Sequence, residues 1–206
     1  LTKLGPYLNL GEKIGLLQSQ ITQGPTREVA VEYSGDFGEL DLTPVTTAVL
    51  KGILAPMVKD EVNFVNARLI AKERGIKVKE TTGAEAAHYL DLISVEMTTS
   101  ENKTMVSGTI FGKNDPRIVK INNFELELAP EGHLTLISNY DKPGAIGSIG
   151  TTLGSHNINI SQMQVGREKK GAHNFIFLRT DTPIPDHVIK KLTNLPLVKT
   201  VQTLTF

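Results

Sequence analysis

Apolar and polar residues alternate over several short stretches in the last third of the chain, and such alternation predicts strands with one buried face. Between these stretches, apolar residues recur at helical spacing. The order is strand, helix, strand, strand, helix, strand, which is typical of a ferredoxin-like βαββαβ unit. A break in the alternation at Ser161 and Gln162 predicts a β-bulge in the second strand. The predicted strands are 134–140, 157–166, 172–180 and 198–205, and the predicted helices are 144–155 and 186–193.

The first part of the chain shows helical periodicity early and strand periodicity later. Gly11 and Gly15 interrupt the apolar stripe of the first helix, where they allow another element to pack closely. Thr43 is expected to cap the second helix. The predicted helices are 4–22, 44–55 and 63–74, and the predicted strands are 27–34, 77–80, 90–99, 103–111, 117–121 and 124–128.

These elements predict an α+β protein with two domains. Residues 1–130 form a mixed domain of helices and a mostly antiparallel sheet. Residues 131–206 form the ferredoxin-like βαββαβ domain. The turn-forming sequence Ala129-Pro130-Glu131-Gly132 is the predicted boundary between them.

The sequence D-K-P-G-A-I, at 141–146, joins the first strand of the βαββαβ unit to its first helix. Asp141 is expected to be the N-cap of that helix. Pro143 suits the first helical turn, and Gly144 lets a backbone or a ligand approach closely. A helix start attracts a carboxylate, and Asp141 beside it would hold an ammonium group. The turn therefore predicts a receptor for a zwitterion such as a free amino acid, with simple helix capping as the alternative.

Composition narrows the choice of partners. Lys and Arg together number 22, as do Asp and Glu, so no charge excess favours nucleic acid or an acidic surface. The chain has no cysteine, which excludes disulfides, zinc thiolates, iron–sulfur clusters and a thiol nucleophile. No apolar run approaches the ~20 residues of a membrane span, and no signal peptide opens the sequence. We expect a soluble, cytoplasmic protein, and the first residue, Leu1, indicates a fragment of a longer chain.

The sequence carries none of the familiar catalytic motifs. It has no G-x-G-x-x-G, no Walker loop and no H-E-x-x-H, and its five histidines are scattered. Neither Ser107 nor Ser161 lies in a nucleophile elbow. No catalytic residue, metal site or cofactor site is predicted within this chain, so a binding or regulatory module is favoured over an enzyme.

Two sets of segments resemble known families. D-K-P-G-A-I-G-S-I-G-T-T-L-G, at 141–154, followed by H-N-I-N-I, at 156–160, resembles the ACT domain, a ligand-binding module of enzymes of amino-acid metabolism. The first part resembles the extra regulatory domain of long-form D-3-phosphoglycerate dehydrogenases. That resemblance is carried by the segments 10–17, 62–76, 106–112 and 117–122.

The resemblance implies a regulatory role. Members of that family oxidise 3-phosphoglycerate with NAD at the start of serine synthesis, and serine inhibits them through ACT domains that pair across subunits. This fragment would therefore be part of a homo-oligomer and bind L-serine, or a similar small amino acid, without turning over substrate. Asp141 of one subunit and Asn159 of the next would contact the effector. The full implied set is Asn139, Asp141, Pro143, Gly144, Ala145, Ile146, Asn159 and Ile160.

The resemblance also implies a second, anion-binding site. Arg117 and Arg179 match two of its basic positions, whereas the third position is Ala129, which is not basic. Two alternatives to the interpretation as a dehydrogenase regulatory region stay open. One is a subunit of a serine dehydratase, against which the missing cluster-binding cysteines count. The other is an oligomerisation module whose ligand pocket is vestigial.

Overall fold

The computed structural model describes residues 3–59, 61–83, 86, 88–167 and 173–206. Contacts between Cα atoms divide the chain into two units, Leu1–Asn122 and Asn123–Phe206. No helix in the described ranges combines the length and apolar character needed to cross a membrane.

The first unit combines three α-helices with a sheet. Within the unit the strand order is β2-β1-β3-β4-β5, and only β1 and β2 run parallel. The predicted helices and mostly antiparallel sheet are thus confirmed. The helices are α1 Gly5–Ile21, α2 Thr43–Leu54 and α3 Ala67–Glu73, with a 3-10 turn at Ala55–Met57. The strands are β1 Thr26–Gly35, β2 Lys77–Gly83, β3 Asp91–Thr99, β4 Lys103–Phe111 and β5 Asp115–Ile121.

Helices α1 and α2 approach each other at two glycines. A Cβ atom added to Gly15 would lie 2.1 Å from the carbonyl oxygen of Val49. A Cβ atom added to Gly52 would lie 2.1 Å from the carbonyl oxygen of Glu12. Only a residue without a side chain fits at either position, so the close packing predicted at Gly15 is confirmed.

A buried amide ties α1 to the sheet beneath it. Gln18 has no exposed surface, and its Nε2 donates hydrogen bonds to the carbonyl oxygens of Val95, at 2.7 Å, and Thr104, at 3.0 Å. These two carbonyls belong to β3 and β4. The helix is therefore fixed to both strands by one side chain.

Two helix starts differ from prediction because side chains take local backbone N–H groups. The N–H of Thr43 donates to Asp41 Oδ1 at 3.0 Å, and no side chain caps α2 within the described residues, so the expected Thr43 cap is wrong. Helix α3 begins at Ala67 instead of Asn63. Oδ1 of Asn63 accepts the N–H of Asn66 at 3.1 Å, and Oδ1 of Asn66 accepts the N–H of Asn63 at 2.7 Å. This reciprocal pair holds 63–66 as a turn.

The second unit has the predicted βαββαβ order. Its four main strands follow the order β10-β7-β9-β8, with all neighbours antiparallel, as in a ferredoxin-like sheet. The pairing of β8 shifts register between Ile160 and Gln162, which confirms the predicted bulge. The elements are β6 Phe124–Leu128, β7 His133–Tyr140, α4 Ala145–Ser155, β8 Ile160–Arg167, β9 His173–Thr180, α5 Asp186–Thr193 and β10 Val198–Leu204.

Apolar residues pack on both faces of this second sheet. Helices α4 and α5 pack on one face around a core that includes Ile137, Ile149, Leu153, Ile176, Leu178, Val188 and Leu192. On the other face, the ring of Phe124 in β6 meets the ring of Phe175 edge-on, with centroids 5.1 Å apart. Strand β6 also contacts β8, which explains why it groups with the second unit. The domain boundary predicted after 130 lies beyond this division and stays a prediction.

Candidate effector site

The predicted effector turn lies between β7 and α4. The N–H of Lys142 donates to the carbonyl oxygen of Tyr140 at 2.8 Å, and the N–H of Ala145 donates to that of Lys142 at 3.2 Å. Gly144 is the residue before the helix, and its φ of 92° lies in the left-handed region that favours glycine. The expectation that Asp141 caps α4 is wrong, because the helix begins too late for it. No described side chain makes the cap hydrogen bond.

Two buried asparagines support this turn from below. Asn139 of β7 and Asn174 of β9 are register partners, and they are 0% and 2% exposed. Nδ2 of Asn174 donates to Oδ1 of Asp141 at 3.2 Å, and Nδ2 of Asn139 donates to the carbonyl oxygen of Tyr140 at 2.9 Å. One amide therefore holds the Asp141 carboxylate, and the other holds the backbone next to it.

Each of these amides leaves its oxygen unused. Oδ1 of Asn139 and Oδ1 of Asn174 are buried and have no hydrogen-bond partner among the described residues. By strand alternation the two side chains lie on the same sheet face as Ile137 and Ile176, which belong to the core. An unpaired buried carbonyl costs about 1–3 kcal/mol. A pair of such groups calls for a reason other than stability.

The remaining predicted residues of the turn form its outer surface. Pro143 and Gly144 are exposed, and Ile146 is 44% exposed. Asp141 is half-buried, whereas Ala145 is buried. The turn thus presents a partly shielded carboxylate beside the positive end of α4, framed by small and apolar residues.

Asn159 and Ile160 lie at the opposite end of the sheet. Asn159 is exposed just before β8, and its Nδ2 donates to Oδ2 of Asp181 at 2.7 Å. Strand β9 connects the two ends, since Asn174 stands near its start and Asp181 directly follows it. Six steps along a strand, from Asn174 to Thr180, span about 20 Å. One protomer therefore cannot bring Asp141 and Asn159 to the same small ligand.

Two family models match the chain. The D-3-phosphoglycerate dehydrogenase intervening domain matches residues 3–122, and the ACT domain matches residues 133–197. The chain belongs to the D-3-phosphoglycerate dehydrogenase intervening-domain family. Residues 133–197 are an ACT domain, as the D-K-P-G and N-I segments predict.

Curated relatives named D-3-phosphoglycerate dehydrogenase align with almost all of this regulatory region. The Bacillus subtilis protein is 39% identical over 200 residues, which cover 97% of this chain. The Methanocaldococcus jannaschii protein is 36% identical over 201 residues, covering 98%, and the Mycobacterium tuberculosis H37Rv protein is 29% identical over 188 residues, covering 90%. The chain spans only 38%, 38% and 36% of the lengths of these relatives, respectively.

The two arginines of the predicted anion site each contact a carboxylate within their own unit. Arg117 Nη2 lies 2.6 Å from Oδ2 of Asp115. Arg179 donates to the carbonyl oxygen of Ala129, and its Nη1 lies 3.7 Å from Oε1 of Glu131. An anion at either arginine would have to compete with these groups. The anion-binding site at Arg117 and Arg179 therefore stays a prediction.

A cavity of about 420 Å³ lies in the intervening domain and contains neither of those arginines. At its wall, the hydroxyl of Tyr7 donates to Oδ2 of Asp91 at 2.7 Å, and Thr109 Oγ1 donates to Oδ1 at 3.1 Å. Burial and the hydrogen bond to Asp91 raise the pKa of Tyr7 above its usual range, so the phenol remains the donor. The lining residues are Lys3, Pro6, Tyr7, Leu40, Leu90, Asp91, Ile110, Gly112 and Lys113.

Sequence reasoning missed two residues of the ACT domain. Asn174 alternates in β9 with the core residues Ile176 and Leu178, so it faces the core as they do. A polar residue at a core-facing position of a strand is a signal that sequence analysis could have used. Asp181 follows the strand in a bend, where an aspartate is ordinary, so no signal marked it as the partner of Asn159.

Proposed function

We propose that this chain is the effector-binding, regulatory part of a D-3-phosphoglycerate dehydrogenase and that it binds L-serine between two ACT domains. NAD-dependent oxidation of 3-phosphoglycerate then belongs to the part of the cytoplasmic parent enzyme that this chain does not cover. The sequence has no glycine-rich nucleotide loop, which is consistent with that division. In this proposal the fragment senses the pathway's product and has no catalytic residues of its own.

The separation of Asp141 from Asn159 is the observation that carries the proposal. The two residues lie at opposite ends of one four-stranded sheet. A ligand the size of serine is much shorter than the ~20 Å between these ends. Both residues serve one site only if they come from different copies of the chain.

The position of β8 supplies a way to join two copies. This strand is at the edge of the sheet, with β9 on one side and no other strand of the four on its other side. Antiparallel pairing of β8 with the same strand of a second copy would be isologous and would cover the edge. It would also bring the start of one β8, with Asn159, to the end of the other, near Asp141.

The chemistry of the turn suits a small zwitterion. The start of α4 favours a carboxylate, and the half-buried carboxylate of Asp141 favours an ammonium group. The amide of Asn159 both donates and accepts hydrogen bonds, which suits the hydroxyl of serine. Charged hydrogen bonds of this kind contribute about 1.5–3 kcal/mol each, enough to define a selective site.

Calorimetric titration of the 206-residue chain with L-serine, glycine and phosphate tests the proposal directly. We expect binding heat with L-serine and a weaker response to glycine, which has no hydroxyl. Asn159→Ala removes one side of the site, and we expect its affinity for L-serine to fall by at least tenfold. Light scattering on the same samples should show a dimer or larger assembly.

A mixing experiment tests whether the site spans two copies. Asp141→Ala and Asn159→Ala each damage every site of their own homodimer. If the variants are unfolded and refolded together, half of the dimers are mixed, and each mixed dimer has one site with both residues intact. We expect about one quarter of the original sites to return with near-original affinity.

The controls are the two variants refolded separately, which should recover nothing. No recovery on mixing, despite mixed dimers in native mass spectra, would contradict the two-copy site. A stable dimer that gives no heat with any amino acid would instead favour the oligomerisation module with a vestigial pocket.

A further inference from the structure

The buried pair Asn139 and Asn174, which we call the amide pair, has a cost that the fold alone does not require. Both side chains lie on the core face of the sheet, and both amide oxygens are buried without a partner among the described residues. Two apolar residues of similar shape would avoid that cost. The amide pair contributes through its two side-chain nitrogens, which both donate hydrogen bonds at the effector turn.

The two nitrogens fix different parts of the turn. Asn139 holds the carbonyl oxygen of Tyr140, which also accepts the N–H of Lys142. Asn174 reaches across from β9 to the carboxylate of Asp141. Asn174 is 2% exposed and lies on a central strand, so the sheet holds its amide in place. The Asp141 carboxylate oxygen that accepts from this amide is therefore held in one orientation. An exposed donor would hold that carboxylate less firmly.

We infer that Asn174 is a positioning residue of the effector site, which orients the Asp141 carboxylate for the ammonium group of the ligand. This inference rests on the proposed function, since it concerns the same site. Asn174 itself contacts no ligand, because its side chain is covered. It acts through Asp141, and the unpaired amide oxygen beside it is the cost of placing a polar donor there.

Asn174→Leu tests this role with little risk to the fold. Leucine has nearly the same shape, removes the unpaired oxygen and removes the hydrogen bond that Asn174 donates to the Asp141 carboxylate. We expect the affinity for L-serine to fall about tenfold in calorimetry, while the thermal unfolding midpoint stays the same or rises. A residue with only a structural role would lower both together.

Coupling to Asp141 supplies a second readout. In an Asp141→Ala background the group that Asn174 orients is gone. Adding Asn174→Leu to that background should change the already weakened affinity less than twofold, so the two substitutions are non-additive. Equal tenfold losses in both backgrounds would overturn the inference.

Thr135→Val is the matched control. Thr135 is 2% exposed on β7, on the same sheet face, but it pairs with Leu178 near the opposite end. Its substitution removes a buried polar group without touching the turn, so L-serine affinity should not change. If the unaltered chain binds no amino acid, the proposed function and this inference both fall. If it binds and Asn174→Leu binds equally well, only the inference falls.

Discussion

Each of the two units buries primary amides with an unpaired oxygen, but their nitrogens serve different ends. In the first unit, Gln18 donates to two strand carbonyls and so fastens helix α1 to the sheet. In the second unit, Asn139 and Asn174 donate to a turn at the end of the sheet. The same chemical group fastens a helix to the sheet in one unit and holds a turn at the end of the sheet in the other.

The helical glycines show a parallel contrast. At Gly15 of α1, the space where a Cβ would lie is filled by the backbone of α2. At Gly147, Gly150 and Gly154 of α4, no described atom other than the adjacent residues and the helix's own backbone lies within 4 Å of that space. Gly15 and Gly52 in the first unit are explained by the helix that packs against them. Gly147, Gly150 and Gly154 have no such neighbour among the described residues, so the side chains on this face of α4 can be enlarged without a clash inside the protomer.

Among the substitutions that test this contrast, Gly15→Ala should have the largest effect on stability. The new methyl group would lie 2.1 Å from the carbonyl oxygen of Val49, so α1 and α2 would have to separate. Overpacking against backbone is at the upper end of the usual range, and we expect a loss of about 3 kcal/mol. Denaturant unfolding followed by circular dichroism measures it. Gly147→Ala is the control, and a comparable loss there would show that the contrast is false.

Gln18→Leu should have the next largest effect. It removes both hydrogen bonds to the strand carbonyls of Val95 and Thr104, and we expect a loss of about 2 kcal/mol. The same chemical change at Asn174 is expected to be near neutral for stability, because its partner Asp141 is half-buried and a hydrogen bond lost there costs less than two lost in the core. Measured in one denaturant series, the two substitutions separate an amide that stabilises the fold from one that holds a turn. Equal losses would mean that both amides have the same structural role.

Much of the fold was accessible from the sequence because the signals were local. Alternation and helical spacing predicted the βαββαβ order, and the slip in alternation predicted the bulge at Ser161 and Gln162. The errors also have local causes that pattern alone does not reveal. A left-handed Gly144 moved the start of α4 past the reach of Asp141, and the Asn63–Asn66 pair delayed the start of α3.

The site was less accessible, because its support is not local. The exposed residues of the turn are contiguous in sequence and carry a recognisable motif. Asn174 contacts Asp141 across a separation of 33 residues, and that contact depends on how β7 and β9 pair. Strand pairing has to be known before such a contact is visible. The position of Asn174 in the alternation of its strand indicates that it is buried, but it does not identify Asp141 as its partner.

The smallest effect expected is that of Gly150→Ala in α4. Alanine is favoured over glycine inside a helix by roughly 0.5–1 kcal/mol. No described atom outside the adjacent residues and the helix's own backbone lies within 4 Å of where the new methyl group would be. We therefore expect a small rise in the free energy of unfolding, measured at a concentration low enough to keep the chain monomeric. A fall under those conditions would contradict the open surface. Light scattering at high concentration measures association of the same variant. If Gly150→Ala is more stable at low concentration but associates more weakly at high concentration, a second copy fills the space on α4, as α2 fills the space on α1.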